Sequence, residues 1–437
     1  MAAPAELAHR DRWQPRLAPL FESTPERPIG PHQVLLAIAA VAVGAAVSLF
    51  RQPGIGPFDT VWAEDGQIFL ADAVNRSPVE ALAGSYAGYF HTAPRLLAFL
   101  AAAAPPDAAG TVLAVSAAVV TAALALLVYV ASAGQLPSRA ARVAVAAVVI
   151  VAPLAQDDVP NSIANLHWPA LYALFWVLLW TPARKPARVV AVATVALVAT
   201  SDILVVALLP LAVARLVVRR DRHSATLAGV LAAGFGLQLL GLLTGTSSRD
   251  LDLNPVRPVT GFLWRAVPAA LVGSDWLGDD HTSIRWLGLA ALGWLLVLAA
   301  VVAGWRRLTR PAWLLAAVAA IHSGALYALP VFLSGVATER YALAPAMLVV
   351  VAMLALLPPS LDRPGAAGVA LLAILAVVCA VNLRVPNARA EGPSWNGELD
   401  RARQECAQPG GSGETRVWLP PGGPWHADLP CDYLARE

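Results

Sequence analysis

Two adjacent carboxylates, Glu64 and Asp65, stand in VWAEDGQIFLADA (61–73), a few residues after the apolar run PHQVLLAIAAVAVGAAVSLF (31–50). Charge so close to a bilayer-type segment is costly unless water, a metal, a cation or a reaction holds it. Either acid is of the type that serves as a general base. With nearby histidines they also suit a hard divalent cation such as Mg²⁺, Mn²⁺ or Ca²⁺, although no spacing identifies one. The plain alternative is a pair of solvated loop charges.

Other residues of chemical type fall in a few polar connections. GSYAGYFHTAPRLL contributes His91 and Arg95, and QDDVPNSIANLHWP (156–169) contributes Asn165, His167 and Trp168. ATSDIL contributes Asp202, whose ordinary role is the N-cap of the helix that follows. VATERYALAP contributes Glu339, Arg340 and Tyr341. Each has a structural reading beside the functional one: interface hydrogen bonds for the histidines, a local ion pair for Glu339–Arg340, and an aromatic belt for Trp62, Trp168, Trp276 and Trp286. Arg340, at the mouth of a span, is also suited to hold a phosphate. No zinc signature, Walker loop, nucleophile elbow or dinucleotide fingerprint occurs.

The elements that must position these residues are apolar helices. The chain has 437 residues, 58% of them hydrophobic and 14% charged, against about 25% charged in a soluble domain. Its mean hydropathy is +0.61. A formal charge of +2 gives no argument for nucleic acid. Apolar runs near 33–50, 109–133, 140–155, 166–181, 188–200, 203–218, 225–244, 286–304, 312–334, 341–357 and 366–382 predict an all-α polytopic membrane protein with about eleven spans. PRLLAFLAAAAP (94–105) is short for a span and is expected to lie at the interface. Three regions follow: 1–32, a cytoplasmic segment, polar, Pro-rich and expected to be disordered over 1–30; 33–382, the membrane domain; and 383–437, a small polar tail. Arginine-rich connections (135–142, 181–188, 215–223, 305–310) alternate with acid-rich ones, which predicts a plasma-membrane protein with its N-terminus cytoplasmic and its tail outside. On that side Cys406 and Cys431 are candidates for a disulfide, and Cys379 is a packing residue in the last span.

The long polar connections would then all face outward, where cells lack nucleotide donors and group transfer commonly draws on polyprenyl-phosphate-linked sugars. Such chemistry needs a base for an acceptor hydroxyl and a cation or metal for the leaving phosphate.

The first-loop acids Glu64 and Asp65, the interfacial segments, the Arg340–Tyr341 pair with Pro345, and the tail with Trp418, Trp425 and Cys431 together resemble bacterial integral-membrane glycosyltransferases of the GT-C superfamily. The resemblance implies a polyprenyl-phosphate sugar donor and a first-loop acid as catalytic base, Asp65 first and Glu64 second. It also implies a donor-phosphate contact at Arg340 and Tyr341, and a glycan or glycolipid acceptor. The Ala- and Arg-rich composition is similar to actinobacterial members that build envelope arabinans and mannans. Substrate contacts are expected from His91, Arg95, Asn165, His167, Trp168, Asp202 and Glu339. The segment VTGFLWRAVPAALV (259–272) is a candidate lid or a resting interfacial helix. The rival readings are a transporter or flippase of a lipid-linked sugar and a noncatalytic envelope-assembly partner. Almost no charge at span centres and no evident internal repeat speak against the transporter.

Overall fold

The computed structural model describes residues 16–23, 30–244, 251–278, 280, 282–305, 312–357, 365–409 and 413–436. It is an all-α membrane-type fold with two small hairpins. The principal helices are α1 (Pro31–Phe50), α2 (Thr92–Ala103), α3 (Pro106–Ala131), α4 (Arg139–Val151), α5 (His167–Leu179), α6 (Lys185–Ala199), α7 (Leu209–Arg219), α8 (Arg222–Thr244), α9 (Ile284–Trp305), α10 (Trp313–Ser334), α11 (Leu343–Leu356), α12 (Ala366–Val381) and α13 (Trp395–Cys406). The hairpins are β1 (Ser85–Tyr86) with β2 (Tyr89–Phe90), and β3 (Glu414–Trp418) with β4 (His426–Pro430), both antiparallel.

Local chemistry sets the helix starts. Pro31 and Pro106 occupy the first turns of α1 and α3, where a missing N–H costs nothing. Ser138 and Ser394 accept the N3 amides that open α4 and α13.

The eleven apolar runs all fold as helix. Six helical segments among the described residues are long and apolar enough to cross a membrane: Pro31–Phe50, Pro106–Gly134, Arg222–Thr244, Ile284–Trp305, Trp313–Ser334 and Glu339–Leu356. The others are shorter, from 11 residues in α7 to 16 in α12. The run 203–218 divides, because Asp202 caps a 3₁₀ turn (Ile203–Leu208) before α7 begins at a proline-containing turn.

From Trp168 onward α5 is buried on every side, as is nearly all of α11, while α1 is exposed over most of its surface. Helices apolar all round and buried all round belong at the centre of a bundle. Around them α10 packs on α11, α3 on α1, α4 and α5, and α6 on α8.

Two expectations change in part. The N-terminal segment is not all disordered: residues 1–15 and 24–29 lie outside the described residues, but Leu20 and Phe21 are buried, and the carbonyls of Leu20 and Glu22 accept from Gln135 and Thr181. Residues 94–105, expected as a helix at the interface, fall on α2 and the two residues after it, and α2 packs on α3. The candidate lid 259–272 ends in Val267–Val272, buried at every residue against α9 and α11. The first half of the segment is exposed at Val259, Thr260, Leu263 and Trp264, so only Val267–Val272 is fixed in the core.

The tail is a compact unit. Cys406 and Cys431 are disulfide-bonded, fastening α13 to the residues after β4. Its apolar residues Trp395, Leu399, Val417, Leu419 and Leu429 share one core with Val61, Phe69 and Leu70 of the first long connection. Gly66 permits this contact: a Cβ there would stand 2.6 Å from the Leu419 side chain.

Candidate functional site

The connections 51–91, 152–166, 200–204, 335–342 and 383–395 interlock at one end of the bundle. Trp395 N–H donates to the Asp59 carbonyl, Thr92 N–H to that of Thr200, and Gln156 to that of Asn382. Among them lies a cavity of about 80 Å³, lined by Glu64, Phe69, Tyr86, Tyr89, His91, Ala164, Asn165, His167, Trp168, Asp202, Ile203, Leu204, Pro330, Leu333, Arg340 and Tyr341.

Eight of the eleven residues singled out from sequence therefore meet at one cavity. Arg340 is its electrostatic centre. Its Nη1 lies 2.9 Å from Asp158 Oδ2 and 3.7 Å from Glu64 Oε1. Glu64 is 8% exposed, and its Oε2 accepts no hydrogen bond among the described residues. Trp168 Nε1, on the cavity wall, likewise donates to none of them. Buried polar atoms are nearly always paired, so an unpartnered acceptor and an unpartnered donor on two residues of one cavity wall mark this as the place where the described residues leave polar groups unsatisfied. Burial pushes the Asp158 carboxyl up to about 6, against the pull of Arg340.

The remaining members are oriented by the backbone. His91 Nδ1 lies 3.1 Å from the Tyr89 carbonyl, with its ring stacked on Tyr89. His167 Nδ1 lies 2.8 Å from the Ala164 carbonyl, with its ring against Trp168. Asn165 donates to the Asp158 carbonyl, which ties the two ends of the 156–169 connection together. Asp202 accepts from Leu204 N–H at 2.7 Å, the expected N-cap, and also lines the cavity. Tyr341 donates to Ser334 Oγ and packs its ring on Trp168.

Three expected members stand elsewhere. Asp65 is 1% exposed and does not line the cavity. It accepts from Ser162 Oγ (3.0 Å), Ile163 N–H (3.2 Å) and Ala164 N–H (2.8 Å). Burial pushes its carboxyl up to about 7, opposed first by Arg389 and then by these hydrogen bonds. Its visible work is to hold the turn that delivers Asn165, His167 and Trp168. A π-helical turn, Asp65–Leu70, follows Glu64 and rotates the two adjacent acids into different surroundings. Arg95 is buried, bound to Asp72 at 2.8 Å and set over the Phe69 ring, so it supports a wall from behind. Glu339 points away from its neighbour Arg340 into a second cavity of about 250 Å³.

Arg389 was invisible from sequence. It lies on a short helical turn, Ala388–Glu391, between α12 and the disulfide unit. It donates to the carbonyls of Pro160 and Asn161, lies 5.5 Å from the Trp62 ring centre and faces Asp65 electrostatically. Burial pulls its guanidinium down to about 10. Nothing in NARAEG distinguishes it from a surface arginine. Asp72, the partner of Arg95, was equally silent.

Among the described residues no three His, Cys, Asp or Glu side chains cluster closely enough to hold a metal ion. No protein-family model matches this chain, and no curated protein or solved structure is detectably similar to it.

Proposed function

We propose that this chain is an integral-membrane glycosyltransferase that moves a sugar from a polyprenyl-phosphate donor to an envelope glycan or glycolipid on the outer face of the plasma membrane. The observation that carries the reading is Glu64: a buried carboxylate on the wall of a polar cavity, with one oxygen near Arg340 and the other buried and unpartnered among the described residues. It is the better candidate base than Asp65, which accepts three hydrogen bonds from the 162–164 turn and does not line the cavity.

In the proposed reaction an acceptor hydroxyl donates to Glu64 Oε2. Glu64 takes the proton as the oxygen bonds to the anomeric carbon. The bond from that carbon to the phosphate oxygen breaks, its electron pair leaves with polyprenyl phosphate, and the anomeric centre inverts. Arg340 meets the leaving phosphate, which competes with Asp158 for it. At about 80 Å³ the cavity has room for two or three waters at ~30 Å³ each. It therefore admits the reacting edge of a sugar, and parting of the Arg340–Asp158 pair admits more. The disulfide supports the outward assignment, since such bonds persist in oxidising compartments. The arginine-rich connections at the other end support it independently.

The test is release of polyprenyl phosphate by the purified protein in nanodiscs, from polyprenyl-phosphate sugars with envelope glycan acceptors. Glu64→Gln is expected to lower turnover by roughly 10²–10⁴-fold with the fold intact. Full turnover by that variant would remove Glu64 as the base and with it this mechanism.

A further inference from the structure

One wall of the Glu64 cavity has little structure of its own. Tyr86, Tyr89 and His91 reach the cavity from the β1–β2 hairpin and the residue after it. That hairpin pairs only Ser85 with Phe90 and Tyr86 with Tyr89. Its turn holds Ala87 and Gly88 at positive φ, 53° and 88°. A lone two-stranded hairpin is marginal even at greater length, so its position has to be set by what it docks on.

It docks on α8. Gln238, near the outer end of that span-length helix, is 0% exposed. Phe90 N–H donates to Gln238 Oε1 at 2.8 Å, and Gln238 Nε2 donates back to the Phe90 carbonyl at 3.3 Å. The side-chain amide thus pairs with Phe90 as a neighbouring strand would. Nε2 also donates to the Ala199 carbonyl at the end of α6, at 3.1 Å. Just beyond Ala199 the chain delivers Asp202, Ile203 and Leu204 to the same cavity. One turn along the same face of α8 stands Gly241. A Cβ there would lie 2.9 Å from the Phe90 ring and 3.5 Å from Tyr89 Cα. One stripe of α8 therefore supplies both the bonds and the clearance that the hairpin needs. A glutamine buried in an apolar span is costly unless its amide is satisfied. Here its acceptor and its amino group are spent on backbone groups of two connections that line the cavity.

We infer that Gln238 is a positioning residue of the cavity: from inside the bundle it holds the Tyr86–His91 wall and the Asp202–Leu204 wall in place against each other. Glu64 and Arg340 stand on other connections, so Gln238 governs how substrate is held and leaves the chemistry to them. The link to substrate rests on the transferase reading, whereas the joining of the two walls does not.

The test compares three variants in nanodiscs. Gln238→Met keeps the length of the side chain and removes its bonds. Gly241→Val leaves Gln238 intact and crowds the hairpin. Gln135→Met is the control, losing a bond to the Leu20 carbonyl at the opposite end of the bundle. Hydrogen exchange is expected to rise at least tenfold at residues 85–93 and 200–204 in Gln238→Met, at 85–93 in Gly241→Val, and at neither in Gln135→Met. In the transfer assay Gln238→Met and Gly241→Val should raise KM for at least one substrate fivefold or more, with kcat within threefold of the unmodified protein. A merely structural role would lower the folded fraction, and so the apparent kcat, at unchanged KM. Unchanged KM in Gln238→Met, or unchanged exchange at either segment in that variant, would overturn the inference. An unmodified protein that transfers no sugar would sink the transferase reading instead, and the exchange measurement alone would then decide whether Gln238 joins the two walls.

Discussion

Glu64 and Asp65 are one peptide bond apart and have different neighbours, so their substitutions should separate. Glu64→Gln removes a cavity-facing charge and should change the thermal midpoint by no more than a few degrees. Asp65→Asn exchanges an acceptor for a donor opposite three donors. Leaving buried amides unsatisfied costs roughly 1–3 kcal/mol each, so this variant should show a clear fall in midpoint by scanning fluorimetry. Asp65 and Asp158 also predict a pH dependence. Burial raises both folded carboxyls above the ordinary value of 3.8, to about 7 and about 6. Between those limits the folded state holds more protons than the unfolded chain, so the contribution of these groups to stability falls as pH rises from about 4 to about 7. Turnover should move the other way and drop as pH falls through about 7, where Asp65 loses its hold on the 162–164 turn. Thermal midpoints and turnover measured across pH 5–8 check both signs.

At the scale of elements, the reactive loop is braced by the tail. Arg389 reaches back from the Ala388–Glu391 turn to the carbonyls of Pro160 and Asn161 and to the vicinity of Asp65, joining the 61–70 and 156–169 connections. Arg389→Met should cost roughly 2–4 kcal/mol, since it leaves two buried carbonyls and a buried carboxylate uncompensated. The check is denaturant unfolding in mild detergent, with Arg389→Lys restoring part of the loss. Opening the disulfide by Cys406→Ser and Cys431→Ser frees a loop closed across 25 residues, worth about 3 kcal/mol in the loop-entropy account. Because β3 and β4 share a core with Val61, Phe69 and Leu70, that loss should reach the cavity. Hydrogen exchange at residues 61–70 is expected to rise in the double variant while that of α5 stays unchanged.

For the whole molecule, the distribution of function is polar. The cavity, the second cavity, the disulfide unit and the five interlocking connections all gather at one end of the bundle. With that end outside the cell, a membrane-impermeant thiol reagent added to intact cells after mild reduction should label Cys406 and Cys431. Labelling only after the cells are opened would reverse the proposed orientation and end the outward reading of the site.

The eleven apolar runs, the polar character of the connections and the membership of the cavity were legible because they depend on local facts. A run of apolar residues is helical in lipid wherever it falls, and residues such as His167 or Arg340 stand out against an alanine-rich background. The Asp202 cap and the Cys406–Cys431 pairing were legible for the same reason. What sequence could not rank was Glu64 against Asp65, since adjacent residues carry the same local signal. That ranking follows from a π-helical turn and from three donors nearly a hundred residues away in the chain. The separation of Glu339 from Arg340 into two cavities, the loss of Arg95 to Asp72, the burial of Val267–Val272 in the second half of the candidate lid and the whole role of Arg389 are likewise contacts across sequence distance. Sequence determined which residues could do chemistry near the membrane. Tertiary packing decided which of them line a cavity and which are spent on pairing, because burial and pairing belong to neighbours in space.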